Sequence, residues 1–85
     1  MKTMYFARIY ITLKPTVNDP QGRTVMGSLQ NLGFQSVSDV RVGKYLEIRF
    51  EDSNKSSAET HVEEMCDKLL ANLVIEKYRY EVEEE

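Results

Sequence analysis

One cysteine, one histidine, two prolines, four glycines and no tryptophan are spread over 85 residues. A lone cysteine, Cys66, excludes an internal disulfide, and with His61 as the only histidine no Cys/His cluster has metal-ligand spacing. No stretch approaches the roughly 18 apolar residues of a membrane-spanning helix. The opening M-K-T-M-Y-F-A-R is interrupted by Arg8 too early to serve as a secretory signal. The expectation is a soluble, cytoplasmic protein with no membrane partner. The glycines write neither G-x-x-x-x-G-K-[ST] nor G-x-G-x-x-G, so no nucleotide-binding loop is argued. Positive charge is also short: the net charge is −3, a poor basis for nucleic-acid binding, which draws affinity from phosphate neutralisation.

The charge that is present is uneven. Residues 1–50 carry seven Lys/Arg and three Asp/Glu; residues 51–85 carry four and eleven. Such a split favours self-pairing between opposite patches, or marks a solvated acidic helix and tail. The length fits a single domain over residues 1–85. A chain of this size removes only about 60–65% of its unfolded surface from water, and oligomerisation is one common remedy.

Hydrophobic period then assigns the elements. Tyr5 to Lys14 alternates, with Tyr5, Ala7, Ile9, Ile11 and Leu13 on one side and Phe6, Arg8, Tyr10, Thr12 and Lys14 on the other. Pro15 ends that strand. Val25, Met26, Leu29 and Leu32 trace one helical face, with Asp19 as N-cap, Pro20 as first residue and Gly33-Phe34 as a Schellman ending. Ser36 to Val42 and Tyr45 to Phe50 read as strands joined by a hairpin turn at Gly43-Lys44. After a polar loop from Asp52 to Ser57, Ser56 and Glu59 form a capping box for a second helix. Its stripe of Ala58, Val62, Met65, Leu69 and Leu70 runs to about Asn72. Val74 to Val82 is the last strand, and the terminal E-E-E is expected to fray. The order is β-α-β-β-α-β. It predicts an α+β fold with one mainly antiparallel four-stranded sheet and two helices on one face, as in ferredoxin-like folds.

Catalytic constellations are absent from this layout. His61 and Cys66 lie five residues apart on one helix, about 140° around its axis, and cannot pair as base and nucleophile. His61 reads as a surface residue and Cys66 as a helix–sheet packing residue. The N-D-P-Q-G stretch, Asn18 to Gly22, starts a helix and so resembles an anion site, but Asp19 already places a carboxylate there and Pro20 lacks an N–H. Capping accounts for Asp19 and Pro20. Gly22 is a poor helix former, so something is expected to pack against its backbone. The sheet face away from the helices carries Phe6, Arg8, Tyr10, Tyr45 and Arg49, the residue types that protein interfaces enrich. That face is read as an oligomer interface, against the alternative of half-exposed tyrosines.

Four stretches together resemble a known family. L-K-P-T-V-N-D-P-Q-G (Leu13 to Gly22), L-G-F (Leu32 to Phe34), V-R-V-G-K (Val40 to Lys44) and M-C-D-K-L-L-A-N-L-V-I-E (Met65 to Glu76) are similar to the PurS subunit of phosphoribosylformylglycinamidine synthase. The likeness runs from about Tyr5 to Tyr80. It implies a small non-catalytic subunit of purine biosynthesis that forms dimers or tetramers. Such a subunit docks a glutaminase subunit to an ATP-dependent synthetase subunit and assists ammonia transfer between them. By the same implication this chain binds no cofactor, and ATP, magnesium and glutamine are used by the partner subunits. Carried over by motif, the polar candidates for partner contact are Lys14, Gln21, Arg41, Lys44, Asn72 and Glu76. Asp19, Gly22 and Gly43 enter through backbone shape. A helix C-cap is the other reading of Asn72.

Two positions depart from the family pattern: Thr16, preceded by Pro15, where glycine usually follows L-K-x, and Leu73 where proline usually stands. Both fall in turns. A regulatory ligand-binding module of the ACT type shares the element order, but here glycine lies two residues after Pro20 instead of directly behind it. An RNA-recognition sheet would need an aromatic-rich motif that Gly43 to Phe50 does not carry. Gln21-Gly22-Arg23 does not match the spacing of an acylphosphatase loop.

Overall fold

A computed structural model describes residues 2–85. The elements are β1 (Thr3–Leu13), α1 (Pro20–Asn31), β2 (Gly43–Asp52), α2 (Lys55–Met65), a π-helical turn at Cys66–Leu70, and β3 (Glu76–Glu84). The sheet has three strands in the order β2-β1-β3, and both pairings are antiparallel. The four-stranded, ferredoxin-like expectation is therefore corrected to three strands.

The missing strand is the one expected at Ser36 to Val42. This segment leaves the sheet and returns along α1. Gln30 Nε2 donates to the Val37 carbonyl at 3.0 Å, and the Val40 carbonyl lies against Gly22. Arg41 and Val42 bond to the β1–α1 loop. No reverse turn forms at Gly43, which opens β2 opposite Thr12. A Cβ on Gly43 would lie 2.5 Å from the Ile11 carbonyl, so close packing and not turn geometry requires glycine here. Gly33 alone has positive φ among the described glycines, at +106°. It gives α1 the predicted Schellman ending, with Gly33 N donating to Gln30 O and Phe34 N to Leu29 O, both at 3.0 Å.

The core lies between the sheet and α2. Tyr5, Ala7, Ile9, Ile11 and Val82 from the strands meet Ala58, Val62, Cys66 and Ala71, as the period-two and helical patterns require. Leu46, Ile48, Phe50, Tyr78 and Tyr80 extend it while remaining partly exposed. Asn54, not Ser56, caps α2: its side chain accepts from Ser57 N at 2.8 Å. The π-turn is closed by Ala71 N donating to Cys66 O, and its extra residue turns Leu69 into solvent, 83% exposed, while Leu70 stays against the core. The acidic end does not fray. β3 runs to Glu84, and Glu85 bonds to the Met4 carbonyl and pairs with Arg49 at 2.9 Å.

Only α2 covers the sheet. α1 makes no comparable contact with any strand, and its apolar stripe stays open: Leu32 is 74% and Phe34 57% exposed. The molecule measures 56 × 27 × 14 Å with a radius of gyration of 16.8 Å, whereas a compact chain of this length has about 12 Å. Two helices on one face is thus corrected to one helix on the face and one projecting arm.

Because β1 carries the core, Ile9→Ala is expected to cost about 2–5 kcal/mol in urea unfolding, whereas Leu69→Ala, on the exposed side of the π-turn, should stay within about 0.5 kcal/mol.

Candidate functional site

The nine residues singled out for partner contact converge on one end of the sheet. Four segments meet there: the end of β1, the first turn of α1, the return segment entering β2, and the turn before β3. Asp19 is the knot. Its φ of −116° and ψ of 90° place it outside the helix, free to cap it. One carboxylate oxygen accepts from Gly22 N at 2.9 Å and the other from Val42 N at 2.8 Å. Those two N–H donors, Val42 foremost, hold the carboxyl below its usual range despite burial. The close neighbour expected at Gly22 is the Val40 carbonyl; an added Cβ would lie 2.1 Å from it.

Arg41 reaches across this knot, its Nη2 donating to the carbonyls of Lys14 at 2.9 Å and Val17 at 2.8 Å. Lys14 N in turn donates to Ile75 O at 2.8 Å, tying the β1 end to the turn before β3. Asn72 organises that turn. Its Oδ1 accepts from Val74 N, its carbonyl from Ile75 N and Glu76 N, and its own N–H donates to Glu76 Oε1 at 2.7 Å. The helix C-cap is Ala71, so the capping reading of Asn72 is corrected to a turn-forming one. Lys44 pairs with Glu76 at 3.4 Å. Gln21 is exposed and borders an open cleft of about 230 Å³ with Gly43, Lys44 and Glu76. On the other side of Asp19, Arg23, Asp39 and Arg41 border a second cleft of about 380 Å³. Leu73, Val74 and Ile75 form an exposed apolar tip beside this junction, which the strand assigned from Val74 did not anticipate.

Phe6, Arg8, Tyr10, Tyr45 and Arg49 share the sheet face away from α2, as alternation demands. They form two stacked groups, one around Phe6 and one around Tyr10. Arg8 and Arg49 lie over the Phe6 ring at 4.8 and 4.4 Å, Tyr10 and Tyr45 are 5.1 Å apart, and Arg79 covers Tyr10 at 3.9 Å. The arginines are also paired with acids, Arg8 with Glu83 at 2.7 Å and Arg49 with Glu85. Arg79, Glu83 and Glu85 belong to this surface and were missed; the alternation of β3 with β1 carried the signal for Arg79 and Glu83.

His61 is half-exposed on α2, and its Nδ1 lies 2.5 Å from Oδ2 of buried Asp52. An ionised carboxylate only accepts, so Nδ1 carries the proton. This bond leads the causes that pull the Asp52 carboxyl down to about 2, ahead of contacts to Ser57 and Ser53 and against the effect of burial. Cys66 is buried under α2 and burial raises its thiol pKa. Tyr78 is pushed up to about 12, first by burial and then by its bond to Asp67; Tyr80 reaches about 12 through its bond to Glu63. Among the described residues no group of three His, Cys, Asp or Glu is arranged to hold a metal ion, and no helix is long and apolar enough to cross a membrane.

Comparison with known proteins places these features in context. The family described as PurS: phosphoribosylformylglycinamidine (FGAM) synthase matches residues 6–84. The FGAM synthase subunit PurS of Bacillus subtilis is 51% identical over 95% of each chain. A solved PurS structure from the same organism superposes with a TM-score of 0.84 at 49% identity, covering 93% of this chain and 98% of that one. A chain of the PurLQS structure from Thermotoga maritima gives 0.82 at 32% identity, over 96% of this chain and 98% of that one.

Two measurements test the junction and the Asp52 pair. Gly22→Ala forces the Val40 carbonyl away and is expected to cost about 1–3 kcal/mol in urea unfolding. Asp52, with a folded pKa of about 2 against an ordinary 3.8, adds stability that is complete above about pH 4 and is lost as pH falls toward 2. Asp52→Asn should therefore flatten the fall in melting temperature between pH 4 and 2; an unchanged slope would remove Asp52 from the acid response.

Proposed function

The chain belongs to the PurS family of FGAM synthase, a subunit of that purine-biosynthetic enzyme, and from this premise we propose that it acts as an adaptor. In this reading it docks a glutaminase subunit to an ATP-dependent synthetase subunit and supplies no reacting group. ATP, magnesium and glutamine are handled by those partners, in the cytoplasm. Ammonia that escapes to solvent is protonated and loses its nucleophilicity, so subunits held together around a dry path gain yield.

The observation that carries the reading is how the side chains are committed. The histidine and the carboxylates at the junction are engaged within the chain: His61 with Asp52, Asp19 with two backbone N–H groups, Glu76 with Lys44 and Asn72. The surfaces left open are those suited to contact. One is the junction, with Gln21, Lys44 and the apolar tip Leu73–Ile75 side by side with the clefts. The other is the stacked face of Phe6, Arg8, Tyr10, Tyr45 and Arg49. Stacked arginine and tyrosine side chains, already ordered by their neighbours, lose little rotamer freedom when a partner covers them.

Reconstitution tests this directly. The isolated chain should turn over neither glutamine nor ATP, and the synthetase alone should use free ammonia. Glutamine-dependent synthesis should fall by an order of magnitude or more without this chain, a loss of about 1.4 kcal/mol per tenfold in the coupled reaction. Full glutamine-dependent turnover in its absence would refute the adaptor role.

A further inference from the structure

Charge on the sheet face away from α2 is sorted by row. From Met4 to Arg8 the register sets Glu47, Glu51, Glu81 and Glu83 around Arg8 and Arg49, and both arginines are paired with acids. The next two rows differ. Tyr10 lies between Tyr45 and Arg79, and Thr12 between Gly43 and Lys77, with no acid in either row. Among the described residues Lys77 forms no ion pair, and Arg79 reaches only Glu81, at 3.9 Å, beyond hydrogen-bond length. Two cations thus stand at i and i+2 on one face of β3, their Cα atoms about 7 Å apart, in a chain of net charge −3. Like charges at that spacing repel, and an anion seated between them removes the repulsion.

The ground between these cations is shaped. A Cβ on Gly43 would lie 2.5 Å from the Ile11 carbonyl and 2.9 Å from Thr12 Cγ2, so the row of Thr12 has no side chain on the β2 side. A cleft of about 420 Å³ opens there, bordered by Tyr10, Thr12, Gly43, Lys44, Lys77 and Arg79, with no carboxylate in its lining. Its donors are partly ordered in advance. The Arg79 guanidinium lies over the Tyr10 ring at 3.9 Å, and the Tyr10 hydroxyl is fixed by donating to Glu81 at 3.1 Å. Lys44 is held by Glu76 at 3.4 Å, which leaves Lys77, Arg79 and the Thr12 hydroxyl to meet a ligand. The adjoining cleft carries one acid, Asp39, beside Arg41 and Lys77.

A guanidinium fork, an ammonium and a hydroxyl on one concave surface are the donors that a phosphate group takes. The cleft is also larger than one phosphate, within the range of small-molecule sites, and the Tyr10 ring on its border offers apolar contact to the rest of a ligand. We propose that this cleft binds a small phosphorylated metabolite, a sugar phosphate or a nucleotide, with its phosphate held by Lys77, Arg79 and the Thr12 hydroxyl. The site goes beyond the adaptor reading and does not rest on it. It is tested on the chain alone, so the docking role stands if it fails.

Amide NMR of the full chain reads the site, with inorganic phosphate, ribose 5-phosphate and adenosine monophosphate titrated at constant ionic strength. Saturating shifts should centre on Thr12, Gly43, Lys77 and Arg79. Both organic phosphates should bind about tenfold more tightly than inorganic phosphate, and a further gain for adenosine monophosphate identifies a nucleotide as the source. Lys77→Gln should weaken binding about tenfold with an unchanged circular dichroism spectrum, since it removes one charge-assisted bond. Lys55→Gln, which removes the same charge from an exposed position at the start of α2, should leave the affinity unchanged. Shifts that never saturate, an equal response to chloride, or equal losses in the two variants would reduce the site to a general ionic effect and overturn the proposal. Tighter binding of a polyglutamate peptide than of any phosphate compound would overturn it too, by giving the cleft to an acidic protein partner.

Discussion

The buried carboxylate of Asp19 bonds to Gly22 N and Val42 N, joining residues 20 positions apart in the chain at one point. Most of what distinguishes this molecule follows from that clasp. As a helix cap it starts α1, and as an acceptor for Val42 it holds the return segment across the helix base. The chain therefore enters β2 directly from the α1 side, with no hairpin. Both oxygens of a desolvated carboxylate need donors, and here both donors are backbone groups that lack an intrahelical or ladder partner. Cap and clasp thus solve one another's hydrogen-bonding problem, and Gly22 is what lets the Val40 carbonyl approach closely enough for it.

A thin core is the consequence. With α1 directed outward, β1 supplies four of the five buried strand residues and α2 is the cover, so the inner face of β2 stays only partly buried. Side-chain pairs compensate around the rim. Tyr78 and Tyr80 bond to Asp67 and Glu63, Asp52 anchors His61, and the acidic tail is stitched to Arg8 and Arg49. The acidic end that composition alone presents as a solvated tail is, in the fold, an ordered edge strand with Glu83 and Glu85 paired across the sheet.

The same arrangement suits the adaptor role proposed above. Its polar groups are occupied in keeping an elongated shape, and that shape presents several distinct surfaces within 56 Å. The junction brings together Lys14, Asp19, Gln21, Gly22, Arg41, Gly43, Lys44, Asn72 and Glu76 from four separate segments. Asp19 is buried, and Arg41, Asn72 and Glu76 bond back to their own chain, so a substitution among these four alters the presented surface through the backbone it holds.

Local pattern was enough for much of this. Period two placed the inner faces of β1, β2 and β3, and the Asp19-Pro20 and Gly33-Phe34 signals wrote both ends of α1, because caps and alternation depend only on near neighbours. The convergence of the motif residues, the Asn54 cap in place of Ser56, the π-turn that expels Leu69, and the use of Gly43 for close approach were not legible, since each depends on what another segment does in space. Ser36 to Val42 is the clearest case: its residues suit an extended chain, and it is extended along a helix, not in a sheet. Composition and periodicity determined which faces would be apolar and where β1, α1, β2, α2 and β3 would form. Where those faces went was decided in three dimensions, because a clasp between Asp19 and Val42 fixes a direction for α1 that no local preference encodes.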